Sequence, residues 1–221
     1  MNNERNYRLS APVVPVAGND GLIKTVDLES DILVHFPVWR GVEQRDSYQL
    51  LLNGERIGAM EIFPNPPPEV GTELNLLIPV YKHLTEDGIY TVGYRTIGFP
   101  GGTPADSDVT TIQVDRTPPG ATLLAPMIFP DVTLGEALTG VVPGYAGMQA
   151  GDLIQAMCNG TEGPSITVQA ENLTTAPVTI QFDRPFLQAQ NDDEVTIDYF
   201  VTDRAGNTSI ASHCVTLTLQ L

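Results

Sequence analysis

The chain repeats itself. Shifted by 106 residues without a gap, Val26, Leu28, Pro37, Gly41, Asp46, Gln49, Asn53 and Gly54 recur as Val132, Leu134, Pro143, Gly147, Asp152, Gln155, Asn159 and Gly160. Trp39 is answered by Tyr145, and Val42 by Met148. Further on, Leu74, Leu76 and Pro79 fall on Ile180, Phe182 and Pro185, and Tyr90, Val92 and Tyr94 on Val195, Ile197 and Tyr199. A chain written twice from one plan is expected to fold twice. The division reads as a tail at residues 1–10, one module at 11–115 and a second at 116–221. The boundary lies in Val114-Asp115-Arg116-Thr117-Pro118-Pro119, where two prolines stop a strand ladder and supply a short, stiff link, so the modules are expected end to end.

Within each half the apolar period is two. Tyr48, Leu50, Leu52; Tyr90, Val92, Tyr94; Val178, Ile180, Phe182; Val195, Ile197, Tyr199, Val201; and Val215, Leu217, Leu219 each put one face of a strand into a core. Turn chemistry separates them at Asn53-Gly54, Glu86-Asp87-Gly88, Asn159-Gly160 and Ala205-Gly206-Asn207. No capped helical stripe interrupts this pattern, so the expected fold class is all-β, a sandwich per module.

Charge removes whole classes of partner. With 27 Asp and Glu against 11 Lys and Arg, the formal charge is −16, and the field repels phosphate backbones and anionic lipid. Apolar runs such as Leu50-Leu51-Leu52 are far shorter than the roughly 18 residues a spanning helix needs, so neither nucleic acid binding nor membrane insertion is expected. The first ten residues hold no apolar stretch resembling a secretion signal. Two cysteines are present. Cys158 shares a face with Ile154 and Ala156, whereas the face of Val215, Leu217 and Leu219 excludes Cys214; with both apolar faces in a core the two thiols point opposite ways, so no disulfide is expected.

The stretch Asp198-Tyr199-Phe200-Val201-Thr202-Asp203-Arg204-Ala205-Gly206-Asn207-Thr208-Ser209 resembles the penultimate strand and turn of bacterial immunoglobulin-like (Big-type) domains. Val114-Asp115-Arg116-Thr117-Pro118-Pro119 resembles the junction by which such domains are strung together in bacterial surface proteins and adhesins. The resemblance implies two tandem immunoglobulin-like β-sandwiches at an extracellular or cell-surface location, serving as a spacer or adhesion unit. Its alternative is an accessory carbohydrate-binding or toxin-associated recognition module. Asp87-Gly88-Ile89-Tyr90 further resembles the tyrosine corner of immunoglobulin folds, a tyrosine that the second module replaces with Val195.

Candidate sites follow from both readings. The resemblance implies calcium at the domain junction, with Asp115, Asp203 and Asn207 of matching type; yet no dense Asp-x-Asp-x-Asp-Gly loop is present. Trp39 and Tyr145, if exposed, are the aromatics for stacking a sugar or anchoring a protein, while their recurrence argues for packing. His35, His83 and His213 are scattered and no nucleophile, metalloprotease or phosphate-loop motif occurs, so no catalytic residue and no enzyme activity are expected. The run Pro64-Asn65-Pro66-Pro67-Pro68 has no counterpart in the second module and reads as protection of a sheet edge ahead of the alternative, a recognition loop. Edges of this kind leave a monomer or weak self-association as the expected state, with a glycan or protein as ligand.

Overall fold

The computed structural model describes residues 8–133, 135–190 and 194–218. Leu134, Asp192, Asp193, Leu219 and most of the expected N-terminal tail lie outside the described residues. The chain separates into two compact units, Met1–Arg116 and Thr117–Leu221. Arg116 is tied to the first unit: its amide donates to Asp87 Oδ1 at 2.6 Å and its Nε to the Leu84 carbonyl at 3.1 Å.

In the first unit the strands are β1 (Ile32–Pro37), β2 (Ser47–Leu52), β3 (Glu55–Ile62), β4 (Glu73–Ile78), β5 (Gly88–Ile97), β6 (Ala105–Asp106) and β7 (Thr110–Val114), with a short helix α1 (Val80–His83). One sheet pairs β1 with β4; the other runs β3-β2-β5, with β6 and β7 following one another along the far side of β5. The second unit has β8 (Ala137–Val142), β9 (Leu153–Cys158), β10 (Thr161–Thr167), β11 (Val178–Asp183), α2 (Arg184–Ala189), β12 (Glu194–Thr202) and β13 (Val215–Thr218). Its sheets are β8-β11 and β10-β9-β12-β13. Both units are all-β, immunoglobulin-like sandwiches of two sheets. Alternation accounts for the cores, since β12 buries Val195, Ile197, Tyr199 and Val201 on one face. Among the described residues no helix is long and apolar enough to cross a membrane.

The repeated residues hold repeated positions. In the hairpins, Asn53 and Gly54 have φ of 52° and 80°, Asn159 and Gly160 of 49° and 75°, the all-positive turn that matches the twist of two strands. Each asparagine also reaches the next strand: Asn53 Oδ1 accepts from the Thr91 amide and Asn159 Oδ1 from the Thr196 amide, both at 2.8 Å. Gln49 Nε2 donates to the Gly58 carbonyl at 2.9 Å and Gln155 Nε2 to Gly163 at 2.7 Å, filling the register break that β3 and β10 share. Tyr94 and Tyr199 are fully buried, and their amides donate to Ser107 Oγ and Ser212 Oγ at 3.0 and 3.1 Å. Their hydroxyls hold the leading segment of each unit, Tyr94 through Ser10 and Tyr199 through the Ala125 carbonyl at 2.8 Å. The corner tyrosine of the first unit is formed: the Tyr90 hydroxyl donates to the Glu86 carbonyl at 2.8 Å.

Two parts of the sequence alignment need correction. Phe36 pairs with Leu74 and its counterpart Val142 with Val178, so Leu74 corresponds to Val178 rather than Ile180. A two-residue slip preserves the face of every side chain, which is why a period-two pattern does not reveal it. Val26 sits in a 3-10 turn, Thr25–Glu29, while Val132 lies in a segment without regular structure. Their match is therefore not a structural one.

Replacing either turn asparagine by alanine removes a clamp and forces a positive φ, a combined cost of about 2 kcal/mol. Trp39, the sole tryptophan, reports on the first unit. Asn53→Ala is expected to lower the urea midpoint read by indole emission, and Asn159→Ala to leave that midpoint unchanged while lowering the one read by circular dichroism.

Candidate functional site

Three loops of the first unit converge around one residue, Asp46, two of them on its carboxylate. The loop after β1 ends at Asp46, which is 7% exposed and accepts the Glu43 amide at Oδ2 (2.9 Å) and the Phe99 amide at Oδ1 (2.8 Å). The Asp46 carbonyl accepts the Phe63 amide at 2.9 Å, and Arg45 donates its amide to the Phe63 carbonyl at 3.0 Å. The loop between β3 and β4 returns with Gly71 and Thr72 bonded to Val38. The loop that carries the proline run is thus tied to this end by the residues on either side of the run.

Trp39 stands at the centre of that end. It is half-buried against an aromatic group, its ring 5.3 Å from Phe63 and 6.3 Å from both Tyr48 and Tyr94. Behind it Phe36 and Tyr94 stack at 3.8 Å. Two clefts open beside the indole. One, of about 340 Å³, is walled by Leu9, Pro37, Val38, Val70 and Tyr94; the other, of about 180 Å³, by Asp46, Thr96, Ile97 and Thr103. Leu9, Trp39 and Arg40 border both. Phe99, 45% exposed, carries the Arg45 guanidinium 3.9 Å above its ring. Burial raises the Tyr48 and Tyr94 phenols above their ordinary range, so both are neutral at physiological pH.

The second unit builds the same end with its half-buried aromatic anchored. Val142, Ile154 and Val168 replace Phe36, Tyr48 and Phe63, while Ala146 and Gly151 replace Arg40 and Arg45. The Tyr145 hydroxyl donates to Asp152 Oδ2 at 2.8 Å, and the Gln149 amide to the same oxygen at 2.9 Å. Burial, together with that bond, pushes the Tyr145 phenol far up; burial alone raises Tyr199 to about 12. Asp152 is 1% exposed and its Oδ1 has no hydrogen-bond partner among the described residues. Desolvation raises its pKa; the Gln149 and Tyr145 bonds and Arg204 oppose this, and the Asp203 charge adds to it.

Sequence reading named Trp39 and Tyr145 but passed over Arg40, Arg45, Phe99 and the aspartates beneath them. The signal available was the contrast between repeats at those positions. Of the candidate metal ligands, Asp203 has both carboxylate oxygens engaged in its own turn. Oδ1 accepts the Gly206 and Asn207 amides and Oδ2 the Asn207 side chain, all at 2.8 Å. Asp115, half-buried after β7, belongs to the first unit and Asp203 with Asn207 to the second. Among the described residues no three His, Cys, Asp or Glu side chains converge as a metal cluster. Both cysteines are free, Cys158 in the core and Cys214 exposed.

No protein-family model and no curated protein matches the chain. Solved structures do. It is similar to a Ca2+-stabilized adhesin that helps an Antarctic bacterium reach out and bind ice (17% identity, TM-score 0.49), covering 96% of this chain and 49% of that one. A 1.5-MDa bacterial ice-binding adhesin, described for its host cell surface retention, is similar at 17% identity and TM-score 0.48, with 96% and 66% covered. The fibronectin(III)-like modules of Clostridium thermocellum CbhA are similar at 13% identity and TM-score 0.44, with 94% and 92% covered. The chain thus spans about half and about two thirds of the two adhesin structures.

Asp152 titrates upward in the fold, so its contribution to stability is greatest below the ordinary carboxylate pKa and falls as pH rises through the elevated one. Asp152→Asn keeps an acceptor for Tyr145 and Gln149 and removes the unpaired charge. It is expected to stabilise the second unit at pH 7 by about 1 kcal/mol and to flatten its stability between pH 4 and 7, measured by thermal unfolding. Chelation is expected to leave both unfolding midpoints in place; a rise on adding calcium would restore a metal to the Asp203 turn.

Proposed function

We propose that the chain is a non-enzymatic binding module of a bacterial surface or secreted protein, in which the first unit recognises a ligand through its loop end and the second acts as a spacer. One observation carries this reading: the two units share a skeleton and both half-bury their central aromatic, yet Trp39 lies between two clefts with its indole N–H without a partner among the described residues, whereas the Tyr145 hydroxyl is bonded to Asp152. A rigid sandwich that presents apolar and aromatic groups on loops suits recognition of a glycan or protein surface. The Tyr145–Asp152 bond favours the spacer role for the second unit. The motifs resembling strung bacterial domains support an extracellular setting.

The lone indole makes this testable without a label. Titration of the intact protein with a panel of glycans and surface proteins is expected to shift Trp39 emission saturably for at least one member. Trp39→Ala should abolish that binding, measured by calorimetry, while Tyr145→Phe leaves it intact. A panel bound equally by wild type and Trp39→Ala would move recognition elsewhere on the chain.

A further inference from the structure

We propose that the loop end of the first unit takes an acidic saccharide, a glycan residue bearing a ring carboxylate such as a uronic or sialic acid, with the sugar on Trp39 and its carboxylate on Arg40. This rests on the reading of that end as the binding face and names what it binds.

Cations are scarce in this chain, yet Arg8, Arg40 and Arg45 gather around one loop end. Two of them are engaged. Arg8 Nε meets Asp108 Oδ2 at 2.7 Å, and Arg45 lies over Phe99. The Arg40 side chain is exposed and makes no hydrogen bond or ion pair among the described residues, although it borders both clefts. A planar guanidinium offers two parallel N–H groups, the match for a carboxylate fork. Next to it the Trp39 indole N–H also has no partner among the described residues. The larger cleft adds an apolar wall, Leu9, Val38 and Val70, against which the carbon face of a pyranose can lie while its hydroxyls stay wet.

The duplicate is an internal control. At the same positions it has Ala146 for Arg40, Gly151 for Arg45, and a Tyr145 whose only donor is already spent on Asp152. The second unit's loop end instead carries Arg204, whose side chain lies against Gly151 and whose charge acts on Asp152, so Arg40 and the indole N–H have no counterpart at their own positions. A neutral sugar would leave Arg40 unused. A polyphosphate needs several free cations and meets the repulsion of a −16 chain, whereas a single carboxylate needs one. The expected affinity is that of a small shallow site, a Kd on the order of 1 mM per saccharide, weakening with salt.

The test uses the intact protein with four probes: oligogalacturonate, 3′-sialyllactose, lactose and poly-L-glutamate. Binding is read by Trp39 emission and by saturation-transfer NMR of the ligand. One or both acidic sugars are expected to bind, and Arg40→Gln to weaken them at least about tenfold while circular dichroism stays unchanged, as loss of one charge-assisted fork implies. Which of the two binds separates uronic from sialic acid. Lactose bound as tightly, and indifferently to Arg40→Gln, overturns the acidic assignment and leaves the binding face standing. Preference for poly-L-glutamate overturns it in favour of an acidic protein. Silence from all four overturns it, and the wider panel above then decides the binding face independently.

Discussion

A carboxylate withdrawn from water sets the geometry of the loop end in both units. Asp46 and Asp152 sit at the start of β2 and β9, where the chain enters the sandwich, and their oxygens gather amides that a loop would otherwise leave unpaired. In the first unit both oxygens are satisfied by backbone, and one of those amides comes from the loop after β5, so two loops are bound to one side chain. That fixes the base on which Trp39 and Arg40 stand. In the second unit one oxygen accepts the Tyr145 hydroxyl as well as the Gln149 amide, and the aromatic becomes part of the frame.

The two units therefore divide into what they share and where they part. Asparagine turn, glutamine in the bulge, buried tyrosine with its serine partner, and the aspartate are backbone devices, and each satisfies polar groups that the fold strands away from water. The differences concentrate where no backbone group depends on them, at Arg40, Arg45, Phe63 and Trp39. A core that has Phe63 where the other has Val168, and Tyr48 where the other has Ile154, keeps its patterning and seats the half-buried indole against aromatic rings.

Much of this was readable in the chain itself. The sandwich followed from alternation, and the pairing of Leu52 with Val92 and of Cys158 with Ile197 follows the repeat that the sequence displays. The corner tyrosine was visible from Asp87-Gly88-Ile89-Tyr90. The leading segments were not: Val13 bridges His35 and Ile128 bridges Val141 at corresponding places, but the stretch between bridge and first strand is shorter in the second unit, and an ungapped comparison steps over it. Nor was Arg40 legible, because an isolated arginine in a loop reads as a solvated residue until its neighbours are placed around it. The recurrence of Trp39 as Tyr145 argued for packing, and that holds for the phenol, whose hydroxyl is anchored, more fully than for the indole.

The bulges in β3 and β10 bear on how such a chain is made. Two copies of one fold leave a ribosome in succession, and while the second is still open its strands could pair with the finished first, the characteristic failure of repeated domains. An edge strand that breaks register, with a glutamine side chain capping the carbonyl it exposes, presents no even ladder for a newcomer to extend. Gln49 and Gln155 then act before the fold is complete as well as after it, keeping each copy to its own strands.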